Sequence, residues 1–123
     1  MGTVVDPAWR IEGHIKETTA VYNDALPVNF DAREHWPECA NVINFVRDQS
    51  NCGSCWANAT TETFNDRMCI ETGGSFQKLL SVADTTACCD GTSCFSYGCN
   101  GGQVATPFSW FKRAGVVTGG PFD

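Results

Sequence analysis

A chain of 123 residues with 42% hydrophobic and 11% aromatic residues carries enough apolar material for one compact domain and too much for intrinsic disorder. A net charge of −6, with eight Lys and Arg against fourteen Asp and Glu, offers no basic footprint to a phosphate backbone or an anionic lipid, so nucleic acid and membrane surfaces are not expected partners. No apolar run approaches the ~18 residues that cross a bilayer.

Residues 1–25, Met1 to Ala25, read as a separate leader. Two apolar patches, Val4-Val5 and Ala20-Val21-Tyr22, stand there without cysteine. The segment lacks the basic start and apolar centre of a secretory signal. Asp6 stands where a myristoylation signal needs Ser or Thr. Composition shifts at Leu26-Pro27-Val28-Asn29-Phe30, where proline and aromatics appear and cysteines soon follow. The main domain is expected from there, over 26–123. Eight cysteines in so short a chain, with Cys88-Cys89 close to Cys94 and Cys99, indicate a stapled fold made in an oxidising compartment.

From Cys55 to about Cys69 there is no Pro or Gly, and Trp56, Ala59, Thr63 and Phe64 are spaced for one helical face. The spacing predicts a helix with Cys55 in its first turn, ended by Gly73-Gly74. Ser81-Val82-Ala83-Asp84 has Ser at an N-cap with an acid three residues on, which predicts a second, short helix reaching Cys88. Asp90–Ser93 and Gly98–Gly102 read as loops. Thr106-Pro107 before Phe108, Trp110 and Phe111, with Gly115 beyond, predicts a third helix capped by Thr106, and then an extended Val116-Val117-Thr118.

The chemistry concentrates in Gln49-Ser50-Asn51-Cys52-Gly53-Ser54-Cys55-Trp56-Ala57. A thiol in the first turn of a helix meets unpaired backbone N–H groups and the positive end of the macrodipole, and both favour thiolate. Cys55 is therefore the candidate nucleophile. Acyl transfer puts negative charge on the carbonyl oxygen, and the Gln49 amide and the Cys55 backbone N–H are two candidate donors to it. Cys52 and Cys55 are also spaced as half a zinc site or as a redox pair. Against these, Trp56 follows the second cysteine where thioredoxin-like motifs place Trp before the first, and no second CxxC or His pair is present.

This stretch resembles the nucleophile segment of the papain family, which places its oxyanion glutamine six residues before the cysteine. Phe30-Asp31-Ala32-Arg33, Trp36-Pro37-Glu38-Cys39, Asp66-Arg67-Met68-Cys69, Cys88-Cys89 and Gly98-Cys99-Asn100-Gly101-Gly102 narrow the resemblance to cathepsin B-like enzymes over about residues 26–123. It implies an α+β papain-like fold of which this chain holds the helical left domain, with the β-rich right domain largely missing. It implies no cofactor and no metal. Gly101 and Gly102 are expected to offer backbone to an extended peptide substrate, with Trp56 and Gln103 also on the substrate side. Implied disulfides are Cys39–Cys69, Cys52–Cys99 and Cys89–Cys94, with Cys88 bridging to a partner downstream.

The same resemblance places the catalytic His and its orienting Asn in a missing C-terminal half. His14 and His35 match neither position, so the isolated chain is expected to be a poor peptidase with an exposed apolar cleft face. Residues 1–25 loosely resemble the tail of a prosegment. Three departures stand out: Asn58 where an apolar residue is usual, Gln103-Val104 in place of a Tyr-Pro-like pair, and Asp84-Thr85-Thr86 in place of Asp-Leu-Leu. The expected activity is that of a lysosomal or secreted cysteine peptidase. A non-catalytic peptide-binding relative and a CxxC thiol oxidoreductase are the competing readings.

Overall fold

The computed structural model describes Thr3 and residues 25–120, so the leader's apolar patches and His14 lie outside the described residues. The described residues form helices joined by turns, with two isolated bridges, Thr3 to Gly102 and Leu80 to Thr118, in place of a sheet. This is the helical left half of the expected fold.

Helix α1 (Ala32–His35) starts where the Asp31 carboxylate accepts from the Arg33 N–H, satisfying a first-turn donor. The Arg33 guanidinium also grips that carboxyl and holds its pKa down to about 2. A 3₁₀ turn at Pro37–Cys39 and helix α2 (Ala40–Ile43) follow. These short turns carry too few residues for a hydrophobic period, which is why composition alone did not reveal them. The Cys39–Cys69 disulfide and Val42 fasten them to the end of the long helix.

Helix α3 (Cys55–Glu71) runs two residues past the predicted end and stops where Gly73 and Gly74 take φ of +57° and +80°. Its buried face differs from the predicted one. Trp56, Ala57, Thr60, Thr61, Asn65 and Cys69 are buried, whereas Ala59 is exposed and Thr63 and Phe64 are half-buried. The reason is that the inward face is largely polar and hydrogen-bonded internally. Thr60 Oγ1 donates to the Trp56 carbonyl, and the Thr61 and Thr85 hydroxyls pair at 2.8 Å. Asn58, where the resemblance implied an apolar residue, is half-buried and donates to the Ser54 carbonyl and hydroxyl.

Helix α4 (Val82–Cys88) is capped by Ser81 Oγ, which accepts from the Asp84 N–H. Asp84 does not complete the reciprocal half of a capping box. Its carboxylate accepts from the Val117 N–H, and the Ser81 N–H goes to the Val117 carbonyl. These bonds, with Gly119 N–H to the Leu79 carbonyl, lay the extended 116–119 segment along the start of α4. Thr85, at a position where the family resemblance implied Leu, is fully buried against Thr61. A hydrogen bond between hydroxyls thus stands where the resemblance implied apolar packing.

Two stretches read as loops contain short helical turns, α5 (Gly91–Cys94) and a 3₁₀ turn at Gly98–Asn100. Helix α6 (Thr106–Ala114) ends at Gly115 with φ of +80°. Thr106 is its first residue and not its cap, because the Thr106 hydroxyl is engaged by the Cys94 carbonyl. The main core gathers Trp56, Ala57, Val82, Cys89, Cys94, Trp110 and Phe111, with Phe64 stacked on Phe111 at 4.9 Å between ring centres.

Arg47 brings the segment before α3 into this body. Its side chain is only 6% exposed, with Nη1 donating to the Leu80 carbonyl at 2.7 Å and Nη2 to Asn65 Oδ1 at 3.1 Å. Glu62 lies 3.8 Å from Nε. Desolvation raises the pKa of Glu62 and of Asp66, and attraction to Arg47 only partly opposes it.

Two outcomes follow for stability. Thr85→Val strands the buried Thr61 hydroxyl and should cost about 1–3 kcal/mol, whereas Thr61→Val with Thr85→Val should come close to wild type; equal losses in urea denaturation would contradict the pairing. Carboxyls whose folded pKa is raised bind protons more tightly in the folded chain. Their contribution is therefore complete below the unfolded carboxylate value of about 4 and is lost as pH rises through the folded values. The urea midpoint should rise as pH falls from 7 towards the unfolded carboxylate value of about 4, and Glu62→Gln should flatten that rise.

Candidate active site

Cys55 is the first residue of α3 and is half-buried, so the helix start places its thiol at the rim of the core. Cys55 and Cys88 are the cysteines outside the three disulfides Cys39–Cys69, Cys52–Cys99 and Cys89–Cys94. The two thiols differ in setting. Cys88 is exposed, and a hydrogen bond to Asp84, with slight burial and the charges of Asp84 and Asp90, pushes its pKa up, which disfavours thiolate there. Cys52 is engaged with Cys99, so the Cys52–Cys55 pair required of an oxidoreductase is not formed.

The loop before α3 is tied to the Gly98–Gly102 loop by that disulfide and by the Gly53 N–H donating to the Cys99 carbonyl at 3.0 Å. A bridge closing a loop of this length contributes about 4 kcal/mol in the loop-entropy account. Gln49 is exposed, and its Nε2 donates to the Cys52 carbonyl at 2.8 Å. A polar hollow of 480 Å³ lies beside it, lined by Gln49, Asn51, Gly53, Cys99 and Asn100 among others.

Gly102 is held from beneath. The Trp56 indole is fully buried, its Nε1–H donates to the Gly98 carbonyl at 3.1 Å, and its ring packs under Gly102. A Cβ on Gly102 would come within 2.5 Å of the Trp56 ring and of Ser96 Oγ, so no side chain fits. Gly101 takes φ of +111° and its carbonyl accepts from the Tyr97 N–H, a conformation that requires glycine.

The residues singled out in the sequence therefore divide. Cys55 and Gly102 come together at one place, marked by Thr3. Thr3 pairs with Gly102 in a parallel bridge, and its hydroxyl lies 3.4 Å from Cys55 Sγ. Trp56 and Gln103, given substrate contacts by resemblance, are buried at 0% and 5% exposure. Trp56 underlies Gly102, and the Gln103 backbone N–H donates to Ser96 Oγ, so both residues stand beneath the loop with little surface of their own. Ser96 was missed in the sequence. Its hydroxyl links Cys94, Gly102 and Gln103, a role that no period or motif announces. His35 packs on the surface against Phe30 in a tilted arrangement and edge-on against Trp36, at 5.2 and 4.5 Å between ring centres. Among the described residues no group of three or more His, Cys, Asp or Glu side chains is arranged to hold a metal, and no helix is long and apolar enough to cross a membrane.

Comparison with known proteins meets this geometry. The papain family cysteine protease pattern matches residues 26–122. The chain is 46% identical over 101 residues to Cathepsin B-like cysteine proteinase 5 of Caenorhabditis elegans, covering 82% of this chain and 29% of that protein. It is 45% identical over 98 residues to a Gut-specific cysteine proteinase of the same nematode, covering 80% and 29% respectively. Among solved structures, proCathepsin B S9 from Trypanosoma congolense matches with a TM-score of 0.79 and 26% identity over 99% of this chain and 41% of that one. The chain thus spans about 29% of the length of these curated relatives. With a matched segment that carries the buried Trp56, the glycine loop and Cys55 at its helix start, this chain belongs to the papain family of cysteine proteases, on the cathepsin B-like side.

Proposed function

We propose that this chain is the nucleophile-bearing helical half of a cathepsin B-like cysteine peptidase, acting on peptides or proteins in a lysosomal or secreted setting. The observation that carries it is that Thr3 touches both Cys55 and a Gly102 that Trp56 and Ser96 keep bare of any side chain. Gly101 and Gly102 present backbone to an extended peptide, whose scissile carbonyl then lies over Cys55. The thiolate attacks that carbon, an S–C bond forms, and the peptide C–N bond breaks as the amine leaves with a proton. Water then hydrolyses the thioester, returning the thiol and releasing the acid.

During attack the carbonyl oxygen becomes an oxyanion. The Cys55 N–H and the Gln49 amide are its proposed donors, the latter after leaving the Cys52 carbonyl that it holds here. The proton transfers need an imidazole. His35 is packed against Phe30 and Trp36 on the surface, so the base and its orienting Asn are read as belonging to the right-hand half of the enzyme, which is the chain's proposed partner.

Residues 1–25 are read as the end of a prosegment. Thr3 supports this, lying on the substrate-side glycine with its hydroxyl against the nucleophile, and so does the likeness to a proCathepsin B over nearly the whole chain. The test is to join this chain to the β-rich half of one of its cathepsin B-like relatives and to follow cleavage of a fluorogenic peptide. Activity should appear, rise on removal of residues 1–25, and fall at least about a thousandfold in Cys55→Ala. A joined protein that folds, binds peptide and never cleaves it would establish the non-catalytic reading instead.

A further inference from the structure

The loop that presents Gln49 has few anchors. On one side the Phe45 N–H donates to the Val42 carbonyl, and on the other the Gly53 N–H donates to Cys99. Between them the loop is stitched to itself: Asp48 Oδ1 accepts from the Ser50 N–H at 2.7 Å, Ser50 takes φ of +51°, and Gln49 bonds Cys52. Val46 is 89% exposed and contributes no packing. Among the described residues, the Arg47 guanidinium joins 46–51 to Leu80 and Asn65, beside a hydrogen bond between the Arg47 backbone and the Glu62 carboxylate and the local one from Gln49 to Cys52.

A buried guanidinium is an expensive anchor, since leaving water costs several kcal/mol unless every donor is met. Here Nε has no hydrogen-bond partner, although Glu62 stands 3.8 Å away. An apolar side chain would fill the site more cheaply. What arginine adds is a rigid planar fork, whose two ends fix direction as well as distance. One end meets the Leu80 carbonyl. The other meets Asn65, which is 1% exposed, also accepts from the Leu80 N–H at 2.8 Å and donates to the Lys78 carbonyl at 3.0 Å. Asn65 sits on α3, the helix that begins with Cys55. The fork therefore refers the Gln49 loop to the same rigid body that carries the thiol.

We propose that Arg47 is a positioning residue for acyl transfer: through Asn65 and Leu80 it sets the Gln49 loop relative to Cys55, so that the amide can reach the developing oxyanion. This rests on the reading of Cys55 as nucleophile and Gln49 as donor. A misplacement of the order of 1 Å at such a donor costs up to about a hundredfold in rate.

The test uses the full chain with Cys88→Ser to remove the competing thiol. Cys55 is acylated with p-nitrophenyl acetate, in which the S–C bond forms, the ester C–O bond breaks and p-nitrophenolate leaves through a tetrahedral oxyanion. In parallel it is alkylated with iodoacetamide, which forms no oxyanion. Gln49→Ala should lower the ratio of acylation to alkylation at least about tenfold. Arg47→Met should lower it comparably with Gln49 in place, the double variant should lose little more, and Arg47→Lys, which keeps the charge without the fork, should restore only part.

An unchanged ratio in Gln49→Ala overturns the donor reading and the proposal with it. A lowered ratio in Gln49→Ala beside an unchanged one in Arg47→Met overturns the positioning role alone, as does a fall in both rates by one factor. If Arg47→Met does not fold, Arg47→Lys and Asn65→Ala carry the same comparison.

Discussion

A fully buried indole beneath a glycine is the contact on which this structure turns. Trp56 is the residue after the proposed nucleophile, so its place in the core sets where the start of α3, and hence Cys55, lies. The same ring closes the space under Gly102, which fixes the height of the loop proposed to meet the substrate. One side chain thus sets the distance between two functional elements that are 47 residues apart in sequence, reckoned from Cys55 to Gly102. The Cys52–Cys99 bridge and the Gly53–Cys99 hydrogen bond secure the same two loops from the solvent side. Together they explain how a half-exposed site keeps its shape at the edge of a small domain.

Around this contact the interior is unusually reliant on polar groups that satisfy one another. Thr61 with Thr85, Ser96 with Cys94 and Gln103, and Asn65 with Arg47, Leu80 and Lys78 each replace what apolar packing would otherwise supply. Hydrogen bonds add little net stability, yet breaking one inside costs the full desolvation of the orphaned group. Such an interior specifies geometry more sharply than it adds stability. That suits a site whose parts must hold their positions to within a fraction of an ångström.

The same polar interior decides how much was legible beforehand. Helix existence came through where breakers and caps do the work: Ser81 before α4, Gly73-Gly74 after α3 and Gly115 after α6 all mark real ends. The inward face of α3 did not, because Thr60, Thr61 and Asn65 carry no hydrophobic signal. Thr106 looked like a cap from its place before Pro107, but the pull of the Cys94 carbonyl is a tertiary effect with no local signature. The family likeness of the Gln49–Ala57 segment was plain in the sequence because it is written in contiguous residues. Thr3 over Cys55, Ser96 under the glycine loop and the inward burial of Trp56 and Gln103 depend on contacts across tens of residues and needed coordinates.

Cys55 and the glycine loop are proposed to form one site for an extended peptide carbonyl. The most direct measurement is ¹³C NMR of a peptide aldehyde labelled at its carbonyl carbon and added to the chain lacking residues 1–25. A hemithioacetal resonance is expected that is abolished by Cys55→Ser, weakened by Gly102→Ala and untouched by Cys88→Ser. A resonance that survives Cys55→Ser, or that disappears with Cys88→Ser, would contradict that proposal.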